Sequence, residues 1–141
     1  MPVGGNDIVD GGDDPDFVSG GNGRDIVIGG RSRDTISGGD GEDILINGYT
    51  SFRLTSEALT SVHAEWSSGH SLAHRRRNVL GNNHPAFHLR FNGDYFLREG
   101  VTVHDDGALD EILTDAADGD ADLLFVDSHD DYLLGAGDLA I

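Results

Sequence analysis

An aspartate recurs every nine residues at the start of this chain, at Asp7, Asp16, Asp25, Asp34 and Asp43. Two positions after each stands an aliphatic residue: Val9, Val18, Val27, Ile36 and Leu45. Glycine pairs open the units at Gly11-Gly12, Gly20-Gly21, Gly29-Gly30 and Gly38-Gly39. Five turns of a nonapeptide therefore occupy residues 1–46. A fixed period of this kind marks an architecture that stacks one unit on the next. A disordered Gly/Asp-rich tract has no reason to keep an apolar residue at constant spacing.

Each unit has two halves. The first six residues are Gly-rich and end in Asp. Glycine permits positive-φ turns that let successive carbonyls converge, and Asp adds a carboxylate. Hard cations such as Ca²⁺ take 6–8 oxygens, and carboxylates mixed with backbone carbonyls suit them. The last three residues favour extended backbone, as in Phe17-Val18-Ser19, Ile26-Val27-Ile28 and Ile44-Leu45-Ile46. A three-residue strand puts its middle side chain on one face and its neighbours on the other. Stacked units predict a parallel β-roll with Val9, Val18, Val27, Ile36 and Leu45 inside.

The units Gly20-Gly21-Asn22-Gly23-Arg24-Asp25-Ile26-Val27-Ile28 and Gly38-Gly39-Asp40-Gly41-Glu42-Asp43-Ile44-Leu45-Ile46 resemble the RTX, or haemolysin-type, calcium-binding repeat. The resemblance implies two sheets visited alternately, with calcium held between a turn and the turn two repeats later. Carried onto this chain, it implies three ions: one shared by Asp7 and Asp25, one by Asp25 and Asp43, one by Asp16 and Asp34. It also implies export without a cleaved leader and folding triggered by calcium outside the cell. The fourth position of the unit is Gly at Gly5, Gly23 and Gly41, but Asp14, followed by Pro15, and Ser32 replace it on the other edge. Neither matches Gly in a left-handed conformation. One strong edge with two ions and a weaker edge with one are expected. The first unit begins at Pro2-Val3 where the family has Gly-Gly, so the roll is expected to start uncapped, with upstream repeats or a parent protein against that edge.

The 141 residues carry a formal net charge of −17, unevenly spread. Residues 1–48 hold ten acidic residues and three Arg, a net of −7; residues 49–104 hold four and six, a net of +2; residues 105–141 hold twelve acidic residues and no Arg, a net of −12. Nucleic acid needs a basic face that this chain does not offer, and metal cations are the simplest partners for its charge. The absence of Cys removes disulfides and thiolate metal sites. The longest apolar run, Leu123-Leu124-Phe125-Val126, is far short of a membrane span. The start lacks the n- and h-regions of a signal peptide.

Residues 55–80 have helical periodicity, with Leu59, Val62, Trp66, Ala73 and Leu80 near one stripe. Ser67-Ser68-Gly69 weakens the middle, so one bent helix and two shorter ones both fit. The outward residues of the odd-numbered strands, Ile8, Ile26, Ile28, Ile44 and Ile46, form an apolar face for it to cover. Arg75-Arg76-Arg77 reads as a solvated helix face or as a partner of the acidic tail. His70/His74 and His84/His88 have the i, i+4 spacing that could hold zinc, yet no HExxH or GxSxG accompanies them. Leu89-Arg90-Phe91, Asp94–Leu97 and Val101–Val103 are β-like, with Asn92-Gly93 a hairpin signal.

Residues 105–113 and 118–125 look like worn copies of the repeat, with Asp110 and Asp122 two positions before Ile112 and Leu124. The whole of 49–134 resembles the closing segment after RTX repeats in large bacterial surface proteins, and Asp138-Leu139-Ala140-Ile141 resembles the ending of type I secretion substrates. The expected fold is mostly β with a helix: a parallel β-roll over 1–48, followed by an α+β cap over 49–141 packed on it as one unit. The expected function is a non-enzymatic, calcium-binding folding and stability module of a secreted protein. The alternative is a carrier for an adhesive or ligand-binding surface in 49–104.

Overall fold

A computed structural model describes residues 4–81, 89–114, 120–132, 134–135 and 137–141. The nonapeptides wind a parallel roll. Strands β1 (Ile8–Asp10), β3 (Ile26–Ile28) and β5 (Ile44–Ile46) lie in one sheet, and β2 (Phe17–Asn22) and β4 (Thr35–Asp40) in the other. Pairing is parallel and steps by eighteen residues, Ile8↔Ile26↔Ile44 and Val18↔Ile36.

The chain then leaves the roll. Strand β6 (Tyr49–Thr50) pairs antiparallel with β7 (Val103–His104), making a narrow neck. Between them stand helices α1 (Glu57–Trp66) and α2 (Leu72–Leu80). Ser56 caps α1 by accepting from the amide of Leu59, and Ser71 caps α2 by accepting from that of His74. Gly81, at φ 73°, ends α2 in the left-handed turn that Gly tolerates best. The Ser67-Ser68-Gly69 break thus gives two helices.

After the neck the roll resumes. Strands β8 (Glu111–Leu113) and β10 (Asp131–Tyr132) extend the second sheet, in the order β10-β8-β4-β2. Strands β9 (Leu123–Phe125) and β11 (Leu139–Ala140) extend the first, in the order β1-β3-β5-β9-β11. Ile112 pairs with Ile36 and Leu124 with Leu45, so the worn units sit in register with the repeats.

Two apolar layers follow from strand alternation. Between the sheets, Val18, Val27, Ile36, Leu45, Ile112 and Leu124 are buried, with Val9, Tyr132 and Ala140 packed beside them. Outside the first sheet, Ile26, Ile28, Ile44, Ile46, Leu123 and Phe125 meet Leu59, Val62, Trp66, Val79, Leu97 and Val103. The helices therefore cover the apolar face, as the isoleucine pattern predicts.

Three expectations need correction. On α2 the buried residues are Arg75, Asn78 and Val79, while Ala73 is exposed. The α1 stripe does not continue across the break, because α2 starts a new phase. Arg75 is not free to face the acidic tail: it is buried, its guanidinium pairs with Glu42 and lies over the Trp66 ring. Arg76 does reach the C-terminal turns, donating to the carbonyls of Asp122 and Gly137 at 2.9 and 2.6 Å. Finally, no hairpin forms at Asn92-Gly93. The Asn92 side chain is buried and donates to the carbonyls of Asn78 and Tyr95, and the Leu97 amide donates to the Val79 carbonyl. This segment bonds partly within its own turn and partly to α2, and pairs no strands across Asn92-Gly93.

Trp66 is buried and donates its indole N–H to the Glu42 carbonyl at 2.6 Å. Trp66→Ala is expected to cost about 3–5 kcal/mol, the usual penalty for emptying a large aromatic site in a core. Urea unfolding followed by circular dichroism measures it, and a change below about 1 kcal/mol would contradict this packing.

Candidate metal centre

The periodic aspartates form two carboxylate ladders, one along each edge of the roll. On the first edge the amide of Asp7 donates to Asp25 Oδ1 at 2.7 Å, that of Asp25 to Asp43 Oδ1 at 2.8 Å, and that of Asp43 to Asp122 Oδ1 at 2.8 Å. On the second, Asp16 donates to Asp34 Oδ1 at 2.8 Å and Asp34 to Asp110 Oδ1 at 2.7 Å. The ladders continue to Asp130 by a long bond of 3.3 Å and to Asp138 by one of 2.9 Å. The structure thus brings Asp7, Asp25 and Asp43 together on one edge and Asp16 and Asp34 on the other. It adds Asp122 and Asp110 to those rows.

One oxygen of each inner carboxylate is used this way. The other is not. Oδ2 of Asp25, Asp34, Asp43 and Asp110 is shut away from solvent without a hydrogen-bond partner. A buried charged group left without a partner is strongly disfavoured. Burial pushes the Asp43 carboxyl up to about 9, with Asp122, Asp25 and Asp120 adding repulsion against the pull of the Asp25 amide. Burial likewise raises Asp34 and Asp110 to about 6 and raises Asp25.

The glycine turns leave room only for backbone. Gly5, Gly23 and Gly41 stack on the first edge at φ 118°, 140° and 122°. A Cβ on Gly23 would lie 1.9 Å from the Gly5 carbonyl oxygen, and one on Gly41 1.8 Å from that of Gly23. The carbonyl oxygens of Gly5 and Gly23 therefore pack directly against the next glycine along the same edge. On the second edge Ser32 takes φ 91°, the one non-glycine at positive φ among the described residues. Its amide donates to Asp106 and its hydroxyl to the Asp13 carbonyl, which hold the strained turn in place. Asp14, before Pro15, does not adopt positive φ.

Among the described residues no three carboxylate or imidazole groups converge on one point. A cation here would take its carboxylates in pairs and the rest of its 6–8 oxygens from backbone carbonyls and water. The unpartnered Oδ2 atoms and the crowded carbonyls suit a hard cation. Among the described residues, the His70/His74 pair gathers no third ligand for a zinc centre. The His70 and His74 rings stack at 4.5 Å, and His70 Nδ1 bonds to Glu65 at 2.8 Å. Glu65, buried, also accepts from Asn78 and from the Phe91 amide, so it braces the helices. His84 and His88 lie outside the described residues, as do Asp118 and Gly119.

Residues 3–32 and 19–48 match the family of the RTX calcium-binding nonapeptide repeat, in four copies. Residues 3–48 are RTX repeats. The match covers about a third of the chain and ends where the neck begins. No curated protein and no solved structure matches the chain. The family fits the geometry, since an RTX repeat binds calcium and these turns hold unpartnered carboxylate oxygens. Sequence reasoning found the five repeat aspartates through their period. It placed Asp110 and Asp122 by their spacing to Ile112 and Leu124, but only the pairing shows that they join the ladders.

The raised carboxyls set a pH dependence in the absence of metal. Unfolded, these groups titrate near 3.8; folded, near 6 for Asp34 and Asp110 and near 9 for Asp43. The folded state holds their protons more tightly, so the stability they contribute is complete below the unfolded value and is lost as pH rises through the folded ones. In EDTA the melting temperature is therefore expected to rise as pH falls from about 8 to about 5. With saturating calcium the trend is expected to reverse, because protons then compete with metal. A metal-free protein whose melting temperature falls over that acidification would contradict the burial of these groups.

Proposed function

We propose that this calcium-binding repeat module is a calcium-triggered folding and stability unit of an exported protein. The observation that carries the proposal is the row of buried, unpartnered Oδ2 atoms at Asp25, Asp34 and Asp43. Three ions would answer them, shared by Asp7 and Asp25, by Asp25 and Asp43, and by Asp16 and Asp34. In this reading residues 1–48 are the calcium-binding roll, and 49–141 is the second unit, which covers and completes it. A ligand that binds only the folded state stabilises it by mass action. The low calcium inside cells and high calcium outside would then make export the trigger for folding. The role is binding, with no catalytic step. Among the described residues no helix is long and apolar enough to cross a membrane.

A second reading makes the roll a carrier for an adhesive or ligand-binding surface in 49–104. It draws on the exposed apolar side chains Leu54, Leu89, Phe91 and Val101, all in that segment. A glycan array or pull-down in calcium would favour it by retaining a partner that the substitution Phe91→Ala releases.

Calcium titration followed by circular dichroism tests the first reading. At neutral pH EDTA is expected to unfold the roll and calcium to restore it, whereas acidification in EDTA partly restores the fold by protonating the buried carboxyls. Mg²⁺, which demands tight octahedra and keeps its waters, is expected to rescue it poorly. Spectra and melting temperature unchanged by EDTA would overturn the proposal.

The two edges give a sharper test. Asp25 is assigned to two ions and Asp16 to one. Each lost charged ligand is expected to cost roughly 1.5–3 kcal/mol. Asp25→Ala is thus expected to lower calcium-bound stability about twice as far as Asp16→Ala. Equal losses would refute the pairing of ions with edges.

A further inference from the structure

The four unpartnered Oδ2 atoms do not all belong to the three ions just assigned. In each assigned pair the orphan sits on the member later in the chain: Asp25 with Asp7, Asp43 with Asp25, Asp34 with Asp16. The fourth orphan is Asp110, and its earlier partner is Asp34, whose amide donates to Asp110 Oδ1 at 2.7 Å. The pair repeats the repeat geometry, although 76 residues separate its members rather than eighteen.

We infer that Asp34 and Asp110 hold a further divalent cation of the calcium class, joining the repeats to the turn at which the chain returns from its helices. The inference rests on the calcium reading of the repeats. It concerns a residue outside the repeat match, which ends at residue 48.

Three observations carry it. Asp34 and Asp110 are each 1 % exposed, so neither Oδ2 can turn to solvent for a partner. The turn before Asp110 docks on the turn before Asp34, through the Ser32 amide donating to Asp106 Oδ2 at 2.6 Å. The backbones are also laddered on the far side, where the Glu111 amide donates to the Asp34 carbonyl at 2.9 Å, as the Thr35 amide does to that of Asp16. The counterpart on the first edge, Asp122, has no such isolated oxygen, and no ion is assigned to it.

A cation here bridges two points that meet only after residues 49–104 have left the roll and come back through the neck. The closure entropy of a chain segment grows slowly with its length, so a long excursion is no barrier to such a bridge. Calcium would thereby bind the excursion shut as well as stacking the repeats.

The test is equilibrium dialysis of calcium against the full chain and its Asp110→Asn variant. Asn keeps the Oδ1 acceptor for the Asp34 amide and removes only the charge. The variant is expected to bind one ion fewer per chain, with its far-ultraviolet spectrum in calcium retained. Equal stoichiometry in the two proteins would overturn the inference while leaving the repeat sites standing. A wild-type chain that binds no calcium would instead overturn the reading beneath it. Should the variant fail to fold, crystals of the unaltered chain grown in calcium decide the matter. An anomalous peak about 2.3–2.6 Å from Asp110 Oδ2 is expected, and its absence rejects the site.

Discussion

The bond from the amide of one aspartate to the carboxylate of the aspartate in the next turn on the same edge governs this structure. Strands of three residues offer too few ladder bonds to fix their own register. The carboxylate supplies a further tie at every turn, and it ties only residues in equivalent positions. Register matters here because a slip of one residue would exchange the two faces of every strand. Val27 and Leu45 would then leave the interior, while Ile26 and Ile44 would enter it. The aspartate ladder thus keeps two apolar layers separate, one between the sheets and one beneath the helices.

The same ladder creates an electrostatic conflict. It stacks carboxylates and closes them off from water, in a chain whose net charge is already −17. A proton can resolve the conflict, as the raised carboxyls of Asp34, Asp43 and Asp110 indicate. A divalent cation would resolve it better at neutral pH, because one ion would neutralise two groups and could take further oxygens from backbone carbonyls. Glycine is required for a related reason. At Gly23 and Gly41 a side chain would fill the space where successive carbonyls approach.

Most of the roll was legible in the sequence because its constraint is periodic. Aspartate, glycine and the aliphatic residue each recur at nine, and the middle residues Val18, Val27, Ile36 and Leu45 are buried where alternation puts them. The isoleucines of the odd strands announced their cover. What lay between the neck strands was less legible, because its contacts are long-range and singular. Nothing local distinguishes Asn92-Gly93 as a hairpin from Asn92 as a brace for the end of α2; the deciding partner, the Asn78 carbonyl, is fourteen residues away. Arg75 looked like one of three surface arginines. Its burial depends on Glu42 and Trp66, whose positions the periodicity of α2 does not encode. The spacing of Asp110 and Asp122 to Ile112 and Leu124 marked them as worn copies of the unit, but the excursion before them hid the partner of each.

The helices grip the first edge at the residue just before Asp25 and just before Asp43. Within the repeats the fifth residue precedes the aspartate and is free to differ: Arg24 before Asp25, Glu42 before Asp43. Arg24 pairs with Glu42 at 3.1 Å and donates to the Ser68 carbonyl at 2.9 Å, and its own carbonyl bonds to the His63 ring. Glu42 receives Arg75 through its side chain and Trp66 through its carbonyl. The variable residues of the first edge are therefore committed to holding the helices, while the constant residues beside them carry the carboxylates. Each peptide bond from Arg24 to Asp25 and from Glu42 to Asp43 joins a helix contact to a ladder contact. A shift of either turn therefore moves the groups that anchor α1 and α2. The cover and the carboxylate edge consequently form one unit, although only the edge is written in the repeat.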